Sequence, residues 1–367
     1  MAITQVSDIF DPQVVGDIVT DILFKRARLI NSPAVVNATP QIYQDGGNTV
    51  TFPYWDTATA GIVQDQVDTR TGVTPSKITM GTYTEEVNDK IISFDVNKKV
   101  FQDISSNADP NSHIAELVAK ESRQVVQLDL INKAEASPLV LETPYESGTA
   151  ALQTLNVDAI LEAKMVWGEY SDDGIPMVFA HSKQLTDLGK TDDFKTLGTA
   201  TVNNAIVNAA AAQGAFAMVH GVLLMSLDSI TKKGGTISEI TRASQVATVT
   251  FAAGHNFKVG DTIVISGATQ ADYNGTFEVA SVPTATTLTY TVPGSPATPA
   301  TGTPVAATRY ESLMCLPGAM GMVPKQGMEN KVVYHAGSPV MTIDWDFRWV
   351  STLFRTNPRK IVRLATR

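Results

Sequence analysis

The chain has 367 residues, 43% of them hydrophobic and 18% charged, with a formal net charge of −9. That length supports two or three compact units, and the apolar content excludes intrinsic disorder. The acidic balance argues against a general nucleic-acid binder, the single cysteine (Cys315) excludes an intrachain disulfide or a cysteine-based zinc site, and no apolar run reaches the ~20 residues of a membrane span.

Met1 to Val6 lacks the basic-then-apolar pattern of a secretory signal, so folding in a cytoplasm is expected. Asp11-Pro12 then reads as a helix start, with Val14, Val15, Ile18, Val19, Ile22 and Leu23 on one face and Lys25, Arg26 and Arg28 near the negative end of the dipole. This predicts a docking helix within an N-terminal arm, residues 1–37. Residues 38–97 read as an extended β-arm and a crossing strand. The arm turns at Asp45-Gly46-Gly47-Asn48, runs through Thr49 to Trp55 and returns through Lys77 to Tyr83. A two-stranded ribbon orders many residues for little burial, so it is expected to lack a partner in its own chain and to lie on a neighbouring copy. Its tip, Asp56 to Pro75, has few large apolar residues. The alternation in Lys90 to Val96 predicts a half-buried strand.

Asp109-Pro110 repeats the helix-start signal. Ile114, Leu117, Val118, Val125, Leu128 and Ile131 trace a stripe, Glu116 and Lys120 stand four apart on the opposite side, and Pro138 ends the run. A helix over 110–137 would be ~40 Å long, a backbone for other elements. From Asn156 the pattern becomes α/β. A helix carries Val157, Ile160, Leu161 and Trp167, a buried strand follows at Pro176 to Ala180, and Ser182 caps a short helix through Leu188. Ala205 to Ala217 reads as an alanine-rich helix or loop, and Val219 to Leu227 as a strand.

Composition shifts near Gly234-Gly235. Residues 236–306 are rich in threonine, valine and glycine, with strands expected at 246–251, 262–265, 276–279 and 287–292 and turns at Gly260-Asp261 and Asn274-Gly275. Pro293 to Pro299 has a linker composition. The stretch therefore reads as an all-β module inserted into the α/β domain. After Tyr310, Met314, Leu316 and Met320 to Val323 read as core. Strands are expected at 331–335, at 340–345 and, alternating, at 360–364. No acidic residue follows Asp346, whereas Arg348, Arg355, Arg359, Lys360, Arg363 and Arg367 do. This tail is expected to meet acidic surface elsewhere in an assembly.

This order of elements resembles the tailed-bacteriophage major capsid protein family, the Hong Kong 97-type shell fold. The likeness rests on the arm, the β-loop leading into Lys99-Val100-Phe101-Gln102-Asp103 and the long helix from Pro110. Local phrases add to it: Ala180-His181-Ser182-Lys183-Gln184-Leu185, His220-Gly221-Val222-Leu223-Leu224 and Leu316-Pro317-Gly318-Ala319-Met320. The resemblance implies an α+β, Hong Kong 97-like fold: an N-terminal arm (1–37), an extended β-loop and crossing strand (38–97) and a peripheral domain with its spine helix (98–149). An axial domain (150–235), an inserted immunoglobulin-like or small-barrel module (236–306) and a return through the axial and peripheral domains (307–367) complete it. It implies a virion protein, assembled in the host cytoplasm into hexamers and pentamers of an icosahedral shell around DNA, without sequence-specific DNA binding. A separate scaffolding protein, a portal and a decoration protein are the partners it suggests, and no cofactor. Intersubunit contacts are expected at Phe52, Tyr54, Trp55, Lys77, Glu85, Glu86, Lys90, Arg26 and Arg28. Some such shells cross-link lysine to asparagine. Lys77 and Asn357 are suitable residue types, but no surrounding pattern transfers.

Catalytic chemistry finds no foothold. His113, His181, His220, His255 and His335 lack metal-ligand spacing, and no GxSxG, HExxH, P-loop or GxGxxG run occurs. Asp172-Asp173 and Asp192-Asp193 read as solvated turns. An α/β hydrolase would need a nucleophile and base that are not found. The remaining alternative is a phage surface or adhesion protein whose β-module binds carbohydrate.

Overall fold

Seventeen stretches of the computed structural model are extended, and three are α-helical, among the residues it describes: 28–37, 48–56, 79–97, 110–137, 139–143, 152–168, 174–192, 215–230, 232–334, 340–354 and 360–367. In chain order these are β1 (Val35–Asn37), β2 (Thr49–Asp56), β3 (Thr79–Glu86), β4 (Asn88–Asn97), α1 (Pro110–Ala134), β5 (Val140–Glu142), α2 (Val157–Met165), β6 (Met177–Ala180) and α3 (Ser182–Lys190). They continue with β7 (Ala215–Val219), β8 (Val222–Ser226), β9 (Lys232–Ala243), β10 (Val246–Phe251), β11 (Thr262–Ala268), β12 (Gly275–Thr284) and β13 (Thr287–Thr291). The last four are β14 (Gly302–Cys315), β15 (Met320–Tyr334), β16 (Val340–Leu353) and β17 (Ile361–Thr366). The expected N-terminal helix and arm tip lie outside the described residues.

The expected α+β, spine-helix organisation is thus corrected to a strand-dominated one that contains a closed six-stranded barrel. A long helix does occur at Pro110–Ala134, but it is one element among many strands. Local periodicity revealed that helix. The length of the strands was hidden, because β9, β14, β15 and β16 mix glycine, charge and proline with apolar residues and are held by distant partners.

The chain divides into two compact units, the first comprising 1–134 and 318–360. Its sheet has the order β1-β15-β16-β4, with β1 parallel to β15 and the other pairs antiparallel. Ile343, Trp345, Phe347 and Trp349 alternate along β16 and are all buried. The Trp349 indole N–H donates to Asp129 of α1 at 3.0 Å, and Asn88 donates to the same carboxylate at 2.9 Å. The buried stripe of α1 is Ile114, Val118, Ala119, Val126, Leu130, Ile131 and Ala134. It is rotated from the expected one, and Leu117 is 49% exposed. The helix follows the sheet it must cover, which its own sequence does not specify.

The second unit comprises 135–317 and 361–367. One layer has the strand order β5-β17-β14-β6-β8-β7, with β6 and β8 parallel. Helices α2 and α3 contribute Val157, Ile160, Ala163, Leu185 and Leu188 to a core shared with Val178, Leu224, Met314, Val362 and Leu364. Asn156 caps α2, accepting from Ala159 N–H at 2.8 Å. His181, not Ser182, caps α3. Its Nδ1 accepts from Lys183 N–H, and Gln184 closes a reciprocal capping box. The stretch 219–227 breaks into a hairpin at His220-Gly221, both at positive φ. Strand β17 is buried on both faces rather than alternating, with β14 and β5 paired along its edges and Val362 and Leu364 packed in the core shared with the helices.

The barrel closes in the order β9-β10-β13-β12-β11-β14-β9. The four expected strands are present, and β9 and the first half of β14 complete the ring. Inward Ile240, Ala247, Val249, Phe251, Ile263, Tyr273, Leu288 and Tyr290 fill it. The closing seam brings two backbones together at Gly267 and Gly302. Both have positive φ, and a Cβ on Gly302 would lie 2.6 Å from the Gly267 carbonyl oxygen. Residues 293–299 are held rather than free. The Arg242 side chain donates to Pro296 O at 3.0 Å and Tyr273 OH to Ala297 O at 3.1 Å.

Candidate functional site

In the ribbon of β2 and β3, Thr49 pairs with Glu86 and Asp56 with Thr79. Its inner face is not orphaned. Val50, Phe52 and Tyr83 are buried against Val323 of β15 and Val350 of β16. The Phe52 and Tyr83 rings stack at 5.4 Å between centroids. Tyr83 OH donates to Leu353 O at 3.3 Å and accepts from Thr352 Oγ1 at 3.1 Å. Glu85 forms an ion pair with Lys133 of α1. The expectation that the ribbon has no partner in its own chain is therefore wrong for its base. The covering side chains come from residues some 270 positions away, beyond any local reading. Toward the far end Met80 is 60% exposed.

Placed on this frame, the sequence candidates separate. Phe52 and Glu85 come together at the ribbon base and are engaged within their own chain. Glu86, Lys90 and Arg28 are exposed. Tyr54 and Trp55 lie in β2, paired with Gly81 and Met80 in register, but their side chains fall outside the described residues, as do Arg26 and Lys77 altogether. Asn357 is likewise outside them. Asp89 pairs with Arg348 at 3.2 Å, inside the chain. Lys133, Thr352 and Val350 are the contacts of the ribbon that the sequence reading missed, and it read Tyr83 and Val323 without linking them to it. The alternation that buries Tyr83 opposite Phe52 was the only local signal available. Beside the ribbon, β4 is a sheet edge. Its ten residues pair with β16 without a bulge, nothing among the described residues pairs with its other side, and Ile91 is 64% exposed.

Two residues of the basic tail, Arg348 and Arg363, have partners within their own chain. Arg348 donates to Asn48 at 3.2 Å, and Arg363 contacts Glu311 at 3.1 Å and Ser137 O at 3.0 Å. Arg355 and Arg359 lie outside the described residues. Burial alone would raise the Glu311 carboxyl, but Lys233, Arg309 and Arg363 outweigh it and hold the group below its ordinary value. Cys315 is fully buried and its thiol is pushed up to about 12 by that burial, which makes it a packed side chain and not a nucleophile. Among the described residues no group of three or more His, Cys, Asp or Glu is arranged to hold a metal. His181 caps, His220 turns the hairpin, and His255 packs between Phe251 and Phe257. His113 and His335 lie outside the residues whose side chains are described.

No protein-family model matches the chain, and no curated protein matches it. Solved structures do. The capsid asymmetric unit of cyanophage Pam1 aligns with a TM-score of 0.53 at 10% identity, covering 94% of this chain and 92% of that one. The capsid of Ralstonia phage GP4 gives 0.53 at 10% identity, over 91% and 87%. The capsid of an empty GTA particle gives 0.51 at 8% identity, over 93% and 89%. The chain has a fold shared with phage capsid subunits. None of its helices described here is long and apolar enough to cross a membrane.

Proposed function

We propose that this chain is the major capsid protein of a tailed, double-stranded DNA bacteriophage, building an icosahedral shell from hexamers and pentamers. The observation that carries the reading is the end-to-end correspondence with phage capsid subunits, over nine-tenths of both chains in the Pam1 comparison. The ribbon supports it. A base anchored on its own chain gives the strands a fixed root from which to reach a second copy, and closure multiplies weak contacts over a symmetric shell. Tyr54, Trp55, Lys77, Glu86, Lys90, Arg26 and Arg28 are assigned to contacts between copies. Phe52 and Glu85 set the ribbon root.

Residues 236–306 act as a module displayed on each subunit. A separate scaffolding protein, a portal and a decoration protein would act with the shell in the host cytoplasm. DNA is enclosed without sequence-specific recognition. The carbohydrate-adhesion alternative draws no support from the barrel, whose Phe251, Phe257, Tyr273 and Tyr290 are buried inside instead of forming a stacking platform. Negative-stain electron microscopy of the purified protein tests the proposal. Capsomers, shells or tubes are expected, and a monodisperse monomer under all assembly conditions would refute it.

A further inference from the structure

Strand β14 belongs to two bodies. Near its start, Ala306 pairs with Ile265 and Val305 with Thr236 inside the barrel; near its end, Leu313 pairs with Arg363 and Phe179 inside the α/β layer. Between the two, the β9–β14 ladder slips register between Ala306 and Arg309. Both β9 and β14 run through this point, and a paired stem with such a shift bends and twists, so side-chain contacts across it help to set the direction of the barrel.

Charged side chains surround that joint. Lys233 of β9 lies 2.9 Å from Asp261, in the turn before β11, and 3.1 Å from Glu311, with side chains only 1%, 8% and 0% exposed. Arg309 bonds Glu311 at 2.9 Å and Glu142 of β5 at 2.7 Å, and reaches the Thr262 carbonyl of the barrel at 3.3 Å. Arg363 of β17 completes the coordination of Glu311. Asp261 also accepts from Lys258 N–H at 2.7 Å, and the Lys258 ammonium pairs with Glu135 just beyond α1. Lys233, Arg309 and Arg363 balance Asp261, Glu311 and Glu142, so the six groups are neutral together.

We propose that this ionic junction is an orientation lock, which holds the barrel in one direction relative to the α/β layer across the register shift in β14. A buried network of this kind adds little net stability compared with apolar packing, because desolvation offsets its attraction. What it adds is geometry. Each ion pair has one good arrangement, and two of them (Lys233–Asp261 and Lys258–Glu135), with the hydrogen bond from Arg309 to the Thr262 carbonyl, span from the barrel side of the joint to the layer side, while Glu311 and Glu142 hold Lys233 and Arg309 in place. The barrel is thereby presented rigidly and does not hang on a tether. The lock is a property of the single chain and stands apart from the shell reading.

The test measures orientation and not stability alone. Spin labels at exposed Ala243 on the barrel and Met165 on the α/β layer report the distance distribution between the two bodies in the full chain. In Lys233→Met the distribution is expected to widen at least twofold, while near-ultraviolet circular dichroism of the barrel core stays unchanged. Lys258→Ala combined with Glu142→Gln, both at partly exposed positions, is expected to widen it to a lesser degree and decides the matter if Lys233→Met does not fold. An unchanged width in a folded variant that has lost these ion pairs would overturn the lock.

Discussion

Replacing Phe52 by alanine separates a ribbon rooted in its own chain from one completed by a neighbour. Phe52 is 2% exposed, stacked on Tyr83 and packed against Val323 and Val350. Truncating a buried phenylalanine removes its transfer free energy and leaves a cavity, and costs about 3–5 kcal/mol. Here the loss falls on the unassembled chain, because every neighbour just named belongs to the same polypeptide. Urea unfolding of dissociated subunits should therefore show a lower midpoint with an unchanged slope. Hydrogen exchange should lose protection in β2 and β3, with β15 and β16 less affected. Tyr83→Phe, which removes only the hydroxyl shared with Thr352 and Leu353, should cost about 0.5–1.5 kcal/mol by the same assay. An unchanged midpoint for Phe52→Ala, together with failed assembly, would mean that the side chain serves another copy, and the ribbon-root argument would be refuted.

Glu311→Gln should destabilise the chain by about 3–5 kcal/mol near neutral pH, since it leaves three cations facing two carboxylates in a buried site. The folded Glu311 carboxyl lies below its ordinary value, so its contribution is complete above the unfolded pKa and is lost as pH falls through the folded one. Denaturation midpoints of wild type and variant should accordingly run parallel above about pH 5 and converge below it; convergence on the alkaline side would contradict the assignment. Gly267→Val should open the barrel seam, because the position has φ +87° and a Cβ would run into the Thr303 carbonyl. A melting temperature within a degree of wild type would rule out tight closure there. Cys315 should resist alkylation at pH 8 until the chain unfolds, and rapid labelling of native protein by a small maleimide would show that its surroundings open.

The sequence disclosed elements whose signal is local. The helix from Pro110, the strands at 246–251 and 287–291 and the reversal at Asn274-Gly275 carry their own capping, alternation or turn chemistry. Elements defined by distant partners were misjudged. Strand β17 looked alternating because Arg363 interrupts its apolar residues, yet that arginine points into a buried ion cluster. Residues 293–299 looked like a linker because proline and small residues dominate, yet their carbonyls are anchored by Arg242 and Tyr273. The ribbon looked incomplete for the same reason, since nothing near Phe52 in sequence announces Val323 and Val350. Glu85 beside it, expected at a contact with another copy, meets Lys133 of its own chain, on a helix 48 residues further on that no local pattern links to it.

The double membership of β14 limits how such a chain can vary. A foreign module exchanged for residues 236–306 would have to deliver its final strand in register with the host half of β14, which pairs with β17 and β6. Lys233, Arg309 and Glu311 lie outside the exchanged stretch, so the module would also need a carboxylate at the place of Asp261 to meet Lys233. Transplants that respect only the outer ends of the stretch would strip Lys233 of that partner in a buried site. Recombination at this point therefore favours donors that bring such a carboxylate in the turn before the strand equivalent to β11.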